Sequence, residues 1–189
     1  MKRNALLAVA LWLLSAPALA SAQHVLVPMD RSQSNHLKAY GLTYWALQQN
    51  STAEWLLNYR GGSFLLAATP EVQRKAALMG VKTEPMPDAE LARTRAAIAE
   101  SNMEAVVLEK APKVAIYTPP NSPPWDDAVT MSLDYAEIPY EKIWDPQVIA
   151  GDLSKYEWLH LHHEDFTGQY SKFFITYCLL YTSDAADEL

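Results

Sequence analysis

The chain predicts an α/β fold in which a mainly parallel sheet is flanked by helices. Two observations carry this expectation. Short apolar runs alternate with amphipathic segments of helical periodicity over most of the 189 residues, the pattern of successive strand–helix–strand units. The helical segments are also bracketed by the residue types that start and stop helices. No internal repeat or low-complexity run interrupts the pattern.

His24-Val25-Leu26-Val27-Pro28-Met29 reads as a first strand ending at Asp30. Ser34 or Asn35 caps a helix carrying Leu37, Tyr40, Tyr44, Ala46 and Leu47, which ends near Gln49. Ala53 to Tyr59 reads as the second strand and runs into Arg60-Gly61-Gly62-Ser63, a turn whose glycines allow positive φ. Thr69-Pro70-Glu71 supplies a cap, a proline at the first helical position and an acid on the positive end of the dipole. Val72, Ala76 and Leu78 follow at helical spacing, and Gly80 ends the segment. Val81 to Glu84 reads as a short strand, Pro87-Asp88 opens a helix to about Glu100, and Glu104 to Leu108 is a weaker strand. Ala111-Pro112 breaks the pattern. Beyond it, Lys113 to Tyr117 reads as a strand and a stiff proline-rich loop reaches Trp125. Asp126 or Asp127 opens a helix, Tyr140 to Trp144 forms a strand, Pro146 to Ala150 a helical turn, and Tyr156 to His162 the last strand.

Both termini read differently from the body. Lys2 and Arg3 precede an uncharged apolar run from Ala5 to Leu14, and Ala18-Leu19-Ala20-Ser21-Ala22 offers small residues at a cleavage site. That layout predicts a signal peptide over 1–22 and a periplasmic or secreted protein. The run is shorter than the ~20 residues that span a bilayer, so no stable membrane anchor is expected after cleavage. At the other end, Cys178 to Glu188 matches, residue for residue, one reading frame of a transposase-type sequencing-library adapter. Residues 178–189 are therefore expected to be an adapter-derived artefact, and the natural protein to continue beyond a fragment ending near Tyr177. The remaining body is expected to form a first α/β unit over 23–110 and a second, truncated one over 111–177.

The chain carries 15 basic and 22 acidic residues, a net charge of −7. Polyanions are repelled by such a surface, so no nucleic-acid partner is expected. Its one cysteine is Cys178, so the body offers neither a disulfide nor a thiolate nucleophile, and its stability must come from a packed core.

Several predicted strands end in polar groups: Asp30, then Asn58 with Arg60, then Thr118 with Asn121, then His162-His163-Glu164-Asp165. In parallel sheets ligands bind outside the carboxyl ends of strands, so these loops are expected to form one crevice for a small polar or anionic molecule. Arg60-Gly61-Gly62-Ser63 offers a guanidinium, backbone N–H groups and a hydroxyl to a carboxylate or phosphate. The alternative is a tight turn with a solvated arginine. In an extended strand His160, His162 and Glu164 share one face, and His163 and Asp165 the other. Imidazole with carboxylate suits general acid–base work by His162, His163, Glu164 and Asp165, or a divalent metal, although the spacing follows no metal motif. The alternative packs His160 between sheet and helix, with the acids capping the next segment.

The blocks His36-Leu37-Lys38-Ala39-Tyr40-Gly41, Trp55 to Phe64, Tyr117 to Asn121 and Trp158 to Gln169 resemble exported bacterial proteins commonly labelled "asparagine synthetase B". The resemblance spans about residues 24 to 174. It implies a glutamine-hydrolysing amide ligase. The N-terminal cysteine nucleophile and the Ser-Gly-Gly-x-Asp-Ser pyrophosphate loop of such ligases have no counterpart here, so none of their site residues transfers to this chain. The alternation after Lys113 looks instead like a class I glutamine-amidotransferase-like or flavodoxin-like layer, without the cysteine on its elbow. Three functions follow as expectations: an exported small-ligand-binding protein, an exported hydrolase built on the histidine–acid cluster, or the ligase that the resemblance implies.

Overall fold

A computed structural model describes residues 23–121 and 127–161. The expected signal segment 1–22, residues 122–126 of the proline-rich loop with Trp125, the quartet His162 to Asp165 and the tail 178–189 lie outside the described residues. The chain divides between Ala111 and Pro112 into two compact units. No helix among the described residues is long and apolar enough to cross a membrane.

The first unit runs β1 (His24–Val27), α1 (His36–Gln48), β2 (Ala53–Leu57), a 3-10 turn (Tyr59–Gly61), β3 (Ser63–Ala67), α2 (Pro70–Met79), β4 (Glu84–Met86), α3 (Asp88–Ala99) and β5 (Glu104–Leu108). Its five strands lie in the order β4-β1-β3-β2-β5, and every neighbouring pair is antiparallel. The expected mainly parallel sheet is therefore wrong, and so are the flavodoxin-like and class I glutamine-amidotransferase-like forms of it. The cause is one strand that the alternation pattern passes over. Ser63-Phe64-Leu65-Leu66-Ala67 is β3, which leaves β2 through a tight hairpin and inserts between β1 and β2. Strands β1 and β2 keep the common direction that a helical crossover imposes, but β3 separates them. The crossover through α2 likewise skips a strand to reach β4, giving a split β-α-β arrangement.

Strand alternation divides the first unit's core into two layers. Val25, Val27, Phe64 and Leu66 face α1 and α2, against Ala39, Leu42, Ala46, Val72 and Ala76. Leu26, Leu56 and Leu65 face the opposite way, against Met86, Leu91 and Ile98. The chain passes by α3 from the β4 edge of the sheet to the β5 edge. Caps define the helices: the Asn35 side chain accepts from Lys38 N–H at 3.1 Å, and Thr69 Oγ1 accepts from Val72 N–H at 3.2 Å. Gly80 closes α2 at φ +67°. Truncating a fully buried residue such as Leu42 or Leu66 to alanine costs about 2–5 kcal/mol.

The second unit contains β6 (Val114–Tyr117), α4 (Ala128–Ala136), β7 (Glu141–Ile143), α5 (Asp145–Ile149), a 3-10 turn (Asp152–Lys155) and β8 (Trp158–Leu161). Here the sheet is parallel but has only three described strands, in the order β7-β6-β8. From β6 the chain crosses through α4 to one neighbour, then returns past β6 to the other. Val114, Ile116 and Leu133 form the core between sheet and α4.

Candidate functional site

Two polar constellations sit at strand ends, one in each unit. In the first unit β1 and β2 point the same way, so the loop after β1 and the hairpin after β2 share one end of the sheet. The hairpin is conformationally demanding: Asn58, Arg60, Gly61 and Gly62 take φ values of +61°, +46°, +84° and +87°. Glycine is required at position 61, where a Cβ would stand 2.5 Å from the Met29 carbonyl oxygen. This close approach lets Met29 N–H donate to Arg60 O at 3.2 Å and joins the two loops.

Arg60 is the centre of this end. Its Nε donates to Asp30 Oδ2 at 2.7 Å, Nη1 to Glu84 Oε2 at 2.5 Å, and Nη2 to Glu84 Oε1 and Ser32 Oγ, both at 3.2 Å. Lys82 Nζ adds a second cation 3.1 Å from Glu84 Oε1. The Arg60 guanidinium, with Ser32 beside it, holds the Asp30 carboxyl well below the usual carboxylate range. Arg60, with help from Lys82, also holds Glu84 low against the opposing effect of burial. Glu84 and Asp30 in turn push the Arg60 pKa upward. Asp30, Arg60, Gly61, Gly62 and Ser63 are thus gathered at one end of the sheet, but their hydrogen bonds are spent internally. Gly62 N–H donates to Tyr59 O at 3.0 Å, Trp55 Nε1 donates to Gly62 O at 3.1 Å, and the buried Ser63 hydroxyl donates to Arg60 O at 3.2 Å. Exposed Asn58 donates to Asn102 O at 3.2 Å, outside the ion cluster. Four of the five guanidinium N–H groups are thus engaged within the protein.

In the second unit, Asp127 caps α4 at the carboxyl end of β6. Its Oδ1 accepts from Val129 N–H at 2.6 Å and Thr130 N–H at 3.2 Å, while Oδ2 lies 2.8 Å from His160 Nε2. Burial raises the Asp127 pKa, but His160 and the two amides outweigh it and keep the group below its ordinary value. His160 pairs in register with Ile116 and so lies on the α4 face of the sheet. Thr118, one residue past the end of β6, still donates its N–H to Ile143 O at 3.1 Å, so the strand alternation carries its side chain to the face of Ile116. It is only 2% exposed, and its hydroxyl is buried with no hydrogen-bond partner among the described residues. Asn121 is exposed in the loop after β6.

His162, His163, Glu164 and Asp165 fall beyond the described residues, and among the described residues no group of three or more His, Cys, Asp or Glu side chains is arranged to hold a metal. The sequence pattern brought out Asp30 and Arg60 but not Glu84, the acid that takes two of the arginine's contacts. Glu84 lies 24 residues away, and only strand pairing brings it near. Asp127 was visible as a helix cap, yet nothing local pointed to His160 as its partner. No family model, no curated protein and no solved structure matches this chain.

Proposed function

We propose that the chain is an exported protein that binds a small, uncharged polar molecule at the carboxyl end of the parallel sheet in its second unit, between β6 and β8. The buried Thr118 hydroxyl carries this reading. A hydroxyl left unpaired in a protein interior costs about 1–3 kcal/mol, and this one lies where crossovers leave a parallel sheet in opposite directions, the usual seat of a ligand. With Asp127 ionised, Nε2 of His160 carries the proton, and Nδ1 of the neutral ring is the acceptor. The site thus offers an acceptor and a hydroxyl to alcohol or amide groups.

The arrangement argues against an anion. The positive end of α4 already holds the Asp127 carboxylate, and in the first unit Arg60 already holds two. Titrating the full chain with glucose, acetamide and inorganic phosphate, and following the His160 ring by NMR, tests this. Saturable shifts are expected with a neutral probe and their loss in Thr118→Val; a response to phosphate alone ends the proposal.

A second reading rests on the same pair. A carboxylate that fixes an imidazole tautomer is the arrangement of a general base, so an exported hydrolase remains the alternative. It predicts turnover of an ester or amide that His160→Ala abolishes while neutral-ligand binding through Thr118 persists.

A further inference from the structure

We infer that the first unit carries a separate small-molecule site, a cavity between His24 and Glu54 that takes a compact amine with an apolar body. The cavity measures about 230 Å³ and is lined by His24, Thr52, Glu54, Leu65, Ala67 and Val107. Its position follows from strand register. Leu26, Leu65, Glu54 and Val107 pair in one row across four strands, and His24 pairs with Ala67 in the next row on the same, α3-facing side of the sheet, so the lining comes from two adjacent rows of side chains. Helix α3 packs over Leu26, Leu56 and Leu65 but leaves this end open. Val107, at the rim, is 60% exposed.

The chemistry of the lining selects the ligand. Leu65, Ala67 and Val107 supply apolar surface, and Glu54 and His24 stand beside them as their cross-strand neighbours. Glu54 presents a carboxylate that meets Arg95 through Oε1 alone, at 2.5 Å. Nδ1 of His24 is buried with no hydrogen-bond partner among the described residues; with the ring proton on Nε2 it is an acceptor, a deficit that a donor removes after a small turn of the ring about Cβ–Cγ. Two acceptors beside apolar surface fit an ammonium or amine N–H on a small hydrophobic group. The space suits roughly ten non-hydrogen atoms, a fragment-sized molecule.

The test uses the full chain at pH 8 with three probes of one shape: benzylamine, benzyl alcohol and benzoate. Amide signals of Thr52, Glu54 and Val107 and the His24 ring are followed by NMR during each titration. Benzylamine is expected to give saturable shifts at these positions, with benzyl alcohol about tenfold weaker or more, since a hydrogen bond to a charged group outweighs a neutral one. Benzoate is expected to give none. Glu54→Gln should weaken benzylamine by about tenfold or more. Val107→Trp, a rim substitution that leaves the buried pairs alone, should fill the space and block binding. Absence of saturable shifts with benzylamine up to about 10 mM, beyond the useful range for a fragment, overturns the inference. So does binding of benzoate at these residues, or benzylamine affinity unchanged in either variant.

Discussion

Replacing Gly61 with alanine tests whether the loop after β1 and the β2–β3 hairpin are locked by backbone contact. A Cβ built at this position lies 2.5 Å from the Met29 carbonyl oxygen, 2.7 Å from its carbon and 3.0 Å from Asp30 N. All three are backbone atoms, so no side-chain rotation relieves the clash; a strand end must move by about half an ångström or more. The positive φ of +84° adds about 1 kcal/mol for a residue with a Cβ. Retreat of Met29 weakens its N–H bond to Arg60 O, worth about 1 kcal/mol, and disturbs the packing of a buried side chain for about 1–2 kcal/mol more. The lower entropy of the unfolded alanine chain offsets about 0.4–1 kcal/mol. The net loss is about 3 kcal/mol, a large share of a typical domain's 5–15 kcal/mol.

Gly80→Ala is the matched control. It has φ +67° and no contact within 4 Å of a Cβ at this position, so the same two effects leave a loss of only about 0–0.6 kcal/mol. Gly62→Ala falls between, because its nearest contact is the Trp55 side chain at 3.1 Å. Urea titration followed by far-UV circular dichroism compares them. With a slope of about 2 kcal/mol per molar, the Gly61→Ala midpoint should lie about 1 M below that of Gly80→Ala. Midpoints within about 0.3 M of each other would refute the reasoning, showing that the two loops do not depend on their close approach.

Three further outcomes follow. Asp30 and Glu84 have folded pKa values below their unfolded ones, so the stability they contribute is present above about pH 4 and lost as pH falls through the folded values; the gap in urea midpoint between wild type and Arg60→Ala should therefore narrow from pH 7 to pH 3. Thr118→Val removes a buried hydroxyl that has no partner among the described residues and should raise stability by about 1 kcal/mol, measured by the same titration, even as it removes neutral-ligand binding. Burial with Asp134 nearby pushes Tyr140 up to about 12, and the hydrogen bond to Glu141 does the same for Tyr156; their stabilisation is present below about pH 10 and lost as pH rises through about 12. Ultraviolet titration should show two late tyrosines, and Glu141→Gln should bring one of them back toward ordinary behaviour.

Much of the local structure could be read directly. Thr69-Pro70-Glu71 and Gly80 bracket α2 as expected, Asn35 caps α1, and Asp127 caps α4. These signals act within a turn of the chain, so neighbouring residues suffice to define them. The strand β3 was missed because Phe64-Leu65-Leu66 is an unbroken apolar run close behind a glycine turn, which reads as easily as a loop entering the core. That omission turned an antiparallel hairpin into an apparent parallel succession. Likewise, the pair Gly61-Gly62 was open to two readings, an anion cradle or a tight turn, and could not show that Gly61 is needed to let two backbones meet.

By itself the sequence determined where helices begin and end, which faces are apolar, and which polar residues stand at strand ends, since all of these depend on contacts a few residues apart. Only the tertiary structure decided strand order and the partners of the charged groups. Arg60 meets Glu84, and His160 meets Asp127, across 24 and 33 residues. Such pairings depend on which strands lie side by side, a collective result of burying both faces of a sheet that no local pattern encodes.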